Sequence, residues 1–284
     1  VPATLVQHLV TMALLGVAAA TIGSLAGLGG GFIVAPALRI FFDVPPDEAA
    51  ATSLVFVLAN VMSATVAFVR QGRVDLRLAL VVGIAAIPTS ILGAFAVHGS
   101  NATFFDLVYA GILAFFAATL LRRSDRLARG RIARLPFSHE RLFRDRVSDT
   151  TYRYAESLPV ATGTGLVTGF LSSFFGIGGG TVVVPVLLRF FAMPAHIVSA
   201  TSHTIILLSA PFGVAAHVYA GDVVWQDAVP LTVGGLAGGQ AGAFVSKRLS
   251  GIVLVRIVAF VLTAAALSLF AQHVGSMLVH GRVG

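Results

Sequence analysis

Two runs of three glycines, Gly29, Gly30, Gly31 and Gly178, Gly179, Gly180, stand inside apolar sequence as "GSLAGLGGGFIVAP" and "SSFFGIGGGTVVVP". Each glycine inside a helix costs about 1 kcal/mol relative to alanine, so these runs must serve the backbone. They can end one helix and start another whose first N–H groups have no intrahelical acceptor. Such a terminus carries about half a positive charge and suits an anion. The competing reading is close helix packing through small residues. Neither run is followed by Gly-Lys-Ser or Gly-Lys-Thr, which excludes a Walker-type phosphate loop.

Neutral hydrogen-bond donors accompany the glycines. Thr52 and Ser53 recur as Thr201 and Ser202, and Asn60 aligns with Ser209. Hydroxyls and amides can hold an oxyanion without the desolvation penalty of a full charge, or they can bond back to their own helix. His203 follows Ser202 where the first copy has Leu54. It is a group able to bind an anion, to couple a proton, or simply to pair with a neighbouring helix. His217 is similar but sits nearer the outer surface. Gln240, in "GGQAGAF", is interhelical glue or a ligand group. Arg39 and Arg189 lie near the ends of short apolar segments, where arginine snorkels to headgroups or attracts an anion. Pro36 and Pro185 lie five positions after the last glycine, where each can fix a kink.

Several chemistries are missing. All 12 Asp and Glu lie in loops or near helix ends, with Asp106 the deepest, so a mid-membrane carboxylate relay is not expected. There is no cysteine, which removes disulfides, thiolate metal sites and thiol catalysis. Neither His-Glu-x-x-His nor Gly-x-Ser-x-Gly occurs, and no cofactor, metal or enzyme activity is expected.

The elements that must position these groups are membrane helices. The 284 residues are 57% hydrophobic and 11% charged, with a mean hydropathy of +0.92. Apolar runs of about 20 residues recur, enough to cross a hydrocarbon core of about 30 Å. They are continuous rather than alternating, which disfavours a β-barrel. The net charge of +7 is concentrated in one segment and reads as a topology signal, not as nucleic-acid binding.

The chain is duplicated at an offset of 149, and 12 of the 25 positions from Gly29 to Ser53 are identical in the second copy. Each copy is expected to hold a long helix (5–27 and 158–176), the glycines, and a half-helix ending at Phe42 or Phe191. Three full spans follow, at 47–69, 78–97 and 104–121, and at 196–219, 227–245 and 251–273. The division is a first repeat 1–121, a basic linker 122–157 with ten Arg, no Lys and five Asp or Glu, and a second repeat 158–284. Arginine and lysine in short loops place 70–77, 122–157 and 246–250 in the cytoplasm. That arithmetic makes the repeats inverted, whether the broken element re-enters or crosses. The fold class is an all-α polytopic membrane protein of two inverted-topology repeats, each a helix-GGG-half-helix element plus three full transmembrane helices, a pattern of secondary transporters. The linker is read as a solvated segment on anionic lipid, with partner binding as another role.

On "GLGGGFIVAPAL" with "AATS", "GIGGGTVVVPVL" with "SATS", and "GAF" late in each copy, the chain resembles the sulfite exporter TauE/SafE family. The resemblance covers nearly everything outside the basic segment. It implies a bacterial inner-membrane permease for sulfite, sulfoacetate or other organosulfonates, with both glycine-rich segments in the substrate path. The residues so implied are the six glycines with Thr52, Ser53, Thr201 and Ser202. A proton or another ion is a candidate for coupling, and an anion channel or passive pore is the other functional class.

Overall fold

Long apolar stretches free of charge can satisfy their backbone in lipid only as helices, and glycine or proline marks where they stop. The structure, a computed structural model, describes residues 3–121, 138–145, 150–246, 248–249 and 251–280. Helices α1 (Ala3–Ala26), α2 (Gly31–Phe41), α3 (Pro46–Arg70), α4 (Leu76–Ala96) and α5 (Ala102–Leu121) come first. Strands β1 (Ser138–Asp145) and β2 (Thr150–Ser157) follow, then α6 (Leu158–Phe175), α7 (Gly180–Arg189), α8 (Ala195–Ala220), α9 (Trp225–Ser246) and α10 (Gly251–His280). Among the described residues, six of these helices are long and apolar enough to cross a membrane. Apolar side chains such as Leu14, Leu92 and Phe260 cover the outside, as a lipid-facing surface requires. This is a helical polytopic membrane protein.

Packing pairs the two halves. Helix α1 lies on α9 and α6 on α4, α3 lies on α9 and α8 on α4, and α5 lies on α10. Exchanging the halves maps each of these contacts onto another or onto itself. Glycines permit the closest approaches: a Cβ on Gly234, Gly238 or Gly242 would overlap the carbonyl of Ala13, Val17 or Thr21, and one on Gly165 or Gly169 that of Val82 or Ala86. Both of these helix pairs therefore run in parallel. Helices α3 and α8 occupy equivalent places in the two halves yet run antiparallel. Phe68 meets the His203 ring at 5.3 Å, while Leu54 lies beside Gly213.

The broken element of the first half turns back on itself. His8, early in α1, meets Phe42 just beyond the end of α2 (ring centroids 5.7 Å apart) and Asp227 at the start of α9 (2.7 Å). The chain thus enters and leaves this element on one face.

One expectation needs correction. The described part of 122–157 is an antiparallel β-hairpin, with Ser138 opposite Ser157 and Asp145 opposite Thr150. The arginines drew attention to charge and hid the strand-forming run Thr150, Thr151, Tyr152 and Tyr154. Tyr154, Ala155 and Ser157 are buried. Arg141 bridges Glu156 (3.1 Å) and Asp75 (3.2 Å), which N-caps α4. Burial raises the Asp75 carboxyl above its usual range, against the opposing pull of the Leu78 N–H and Arg141. Residues 122–137 and 146–149 of the expected linker lie outside the described residues.

Candidate functional site

Both glycine runs break their helix in the same way. Gly27, Gly29 and Gly30 have φ of 80°, 81° and 84°, and Gly176, Gly178 and Gly179 have 67°, 77° and 71°. That left-handed backbone is free of steric penalty only for glycine. Gly30 and Gly179 are the N-caps of α2 and α7. Neither helix has a side-chain cap there, and tight backbone bonds take up part of each first turn: Ile33 N–H donates to the Gly30 carbonyl (3.1 Å), Gly180 N–H to that of Gly178 (2.8 Å) and Val182 N–H to that of Gly179 (3.0 Å).

The two breaks touch. A Cβ on Gly180 would lie 2.5 Å from the Gly27 carbonyl oxygen, and one on Gly31 would overlap that of Gly176. Val57 and Ile206, equivalent in the repeat, flank the contact at Gly29. The paired hydroxyls lock it across the halves. Ser53 Oγ donates to the Gly176 carbonyl at 2.8 Å, and its counterpart Ser202 Oγ donates to the Gly27 carbonyl. Thr52 Oγ1 accepts from Val224 N–H and Thr201 Oγ1 from Asp75 N–H, each at 3.1 Å. All four hydroxyls bond to backbone of the opposite half.

Asn60 and His203 extend this cluster on one side. Asn60 Nδ2 donates to the Gly29 carbonyl (2.8 Å), Ser24 Oγ donates to Asn60 Oδ1 (2.8 Å), and His203 Nε2 lies 3.3 Å from Ser24 Oγ. His203 Nδ1 lies 2.9 Å from the Ser199 carbonyl, and Asn60 and His203 are fully buried. The structure thus brings Gly29, Gly30, Gly31, Gly178, Gly179, Gly180, Ser53, Ser202, Asn60 and His203 together.

Other candidates stand apart. Thr52 and Thr201 serve the loops entering α9 and α4. Gln240 donates to the Ser63 carbonyl at 2.6 Å on an exposed face. Arg39 forms a bidentate pair with Asp106 (3.1 and 2.8 Å) and donates to the Val44 carbonyl. His217 joins Asp222 (2.9 Å), which also holds His98 (2.8 Å), at the opposite face from the hairpin. Burial lowers the His98 pKa, but the Asp222 hydrogen bond, the Phe95 carbonyl and the charges of Asp222 and Asp47 together outweigh it, and the net shift is upward. Among the described residues, no group of three or more His, Asp or Glu is placed to hold a metal.

Three hydroxyls near the second break escaped the sequence reading. Thr168, Ser172 and Thr181 are buried, and none of their hydroxyls has a partner among the described residues. The four-residue spacing of Thr164, Thr168 and Ser172 puts them on one face of α6, and that row is the signal that could have found them.

A model of the family described as sulfite exporter TauE/SafE matches residues 12–269. The probable membrane transporter protein YunE of Bacillus subtilis is 32% identical over 280 residues, covering 94% of this chain and 99% of that one. The probable membrane transporter protein YdhB of the same organism is 28% identical over 247 residues, 87% of this chain and 92% of its own. A probable membrane transporter protein of Xylella fastidiosa is 26% identical over 282 residues, 94% of this chain and all of its own (100%). No solved structure matches.

Proposed function

The chain belongs to the sulfite exporter TauE/SafE family, and from that premise we propose that this membrane transporter is a secondary carrier of small sulfur-containing anions such as sulfite, sulfoacetate or other organosulfonates. It works across the bacterial inner membrane by alternating access, as two inverted repeats rocking about their shared centre. The observation that carries this reading is the pair of glycine breaks, matched at an offset of 149 in sequence and in backbone angle. Their touching tips bring two helix N-termini, each an anion-favouring dipole end, to one place. The antiparallel course of α3 and α8 supports the inversion. Arg77 and Arg141 both reach Glu156, so the hairpin lies on the same face as the basic loop 70–77, which supports a cytoplasmic linker.

The glycines with Ser53, Ser202, Asn60 and His203 form the substrate region, and Thr52, Thr201, Gln240 and Arg39 act through the helix packing around it. Uptake of sulfite and sulfoacetate by the purified protein in liposomes tests the mechanism. A carrier saturates and shows counterflow from preloaded vesicles. Flux that rises linearly with concentration without counterflow would replace it with a channel, and no flux of either anion would refute the substrate class.

A further inference from the structure

The two breaks share a backbone but differ in what faces it. At the first break a Cβ on Gly23 would overlap Gly30 N, and the Ala19 carbonyl stands 2.6 Å from a Cβ on Gly30, so the α1 backbone closes directly onto the turn. Phe32 fills the first turn of α2 and is fully buried. At the second break the equivalent positions hold Thr168, Ser172 and Thr181. The atoms nearest a Cβ on Gly179 are side-chain atoms, Thr168 Cγ2 at 2.5 Å, Ser172 Cβ at 3.4 Å and Ser172 Oγ at 3.6 Å. Here α6 stands off from the turn, and hydroxyl-bearing side chains occupy the gap.

These hydroxyls do not bond as hydroxyls in a membrane helix ordinarily do, back to a carbonyl four residues earlier. Thr164, Ser199, Thr204 and Thr263 all do so. Thr168, Ser172 and Thr181 do not, although they are 0%, 2% and 0% exposed. An unpaired hydroxyl in an apolar interior is destabilising. All three residues surround one helix N-terminus: Ser172 Oγ faces the Gly179 cap, Thr168 turns its methyl to it, and Thr181 stands in the first turn of α7.

Building on the transport reading above, we infer that Thr168, Ser172 and Thr181, with the Thr181 N–H in the first turn of the ten-residue helix α7, bind the head group of a singly charged sulfur oxyanion, a sulfonate or hydrogen sulfite. The first break, with Ala19, Gly23 and Phe32 at the equivalent positions, supplies no hydroxyl there and contributes its helix end alone. The donors are neutral, and the helix end supplies about half a charge. That offsets about half of a single negative charge but only about a quarter of a dianion's. Hydroxyls from two helices together with the Thr181 N–H suit a head group with three oxygens. The site therefore ranks methanesulfonate above sulfate.

The test is calorimetric titration of methanesulfonate, sodium sulfite at mildly acidic pH, and sulfate into the purified full-length protein, with unfolding temperature measured alongside. Thr168→Val, Ser172→Ala and Thr181→Val are each expected to weaken methanesulfonate binding by about tenfold or more, the scale of a lost hydrogen bond to a charged group. The ligand-free unfolding temperature is expected to hold or rise, because no internal bond is removed. Thr168→Ser keeps the hydroxyl and is expected to bind like the parent, while Ser268→Ala, on the exposed face of α10, leaves affinity unchanged. Should the parent bind methanesulfonate while all three variants keep its affinity, this site falls and the transport reading stands. A drop in unfolding temperature with unchanged affinity would likewise assign the hydroxyls a structural role. Sulfate binding as tightly as methanesulfonate would overturn the single-charge match, and binding of none of the probes would overturn both the site and the substrate class.

Discussion

Gly180→Ala tests the contact between the two breaks with one methyl group. Gly180 is the first residue of α7 and has no positive φ, so alanine suits its backbone and only space is at issue. The new Cβ would lie 2.5 Å from Gly27 O, 2.5 Å from Leu28 Cα and 2.8 Å from Leu28 C. All three are backbone atoms of the opposite half, so no side chain can swing away. The tips must part by about 0.5 Å merely to reach 3.0 Å, a separation still tighter than nearly all real Cβ contacts. Overpacking of this kind costs about 1–3 kcal/mol, and it falls where Ser202 bonds the Gly27 carbonyl. Gly111→Ala is the control. A Cβ there meets nothing within 4 Å in mid-α5, and helix propensity favours alanine by about 1 kcal/mol. Thermal unfolding in detergent should show Gly180→Ala several degrees below the parent and Gly111→Ala level with it or above. Liposome uptake should fall for the first and persist for the second. If Gly180→Ala matches the parent in both assays, the tips are not in the contact described.

Two further outcomes follow from charged groups away from the breaks. Arg39 and Asp106 are nearly buried, at 10% and 14% side-chain exposure, so Asp106→Asn should destabilise by about 3–5 kcal/mol as an uncompensated buried arginine. The double change Arg39→Met with Asp106→Leu should recover much of the loss in the same unfolding assay. His98 has a folded-state pKa above its ordinary value. Its contribution to stability is therefore full below about pH 6.5 and fades as pH rises through the higher folded value. Unfolding temperature measured across that interval should carry this component, and Asp222→Asn should remove it.

The helices and their breaks were legible because their signals are local. Uninterrupted apolar runs require helices in lipid, and three glycines followed by a proline interrupt a helix wherever they stand. The repeat was legible because Gly29 to Ser53 kept its residues. Bonding partners were not legible, since they lie across the fold. Ser53 finds Gly176 123 positions away, and Arg39 finds Asp106 67 positions away. From types alone, a threonine beside a glycine-rich turn reads as a ligand, whereas Thr52 and Thr201 accept loop N–H groups of the opposite half. Repeat alignment also drew attention to what the halves share. Thr168, Ser172 and Thr181 were passed over because they are where the halves differ.

The crossed Ser53 and Ser202 bonds resemble an isologous interface, in which position i of one subunit meets j of the other and j meets i. Two separate copies of one half would make the same bond twice by symmetry, and every substitution would then strike both ends together. Joined in one chain, the two ends vary independently. Gly23 can stay a glycine while its counterpart is Ser172, and Leu54 can stay apolar while its counterpart is His203. Covalent linkage thus converts a symmetric pair of turns into two turns free to take different work.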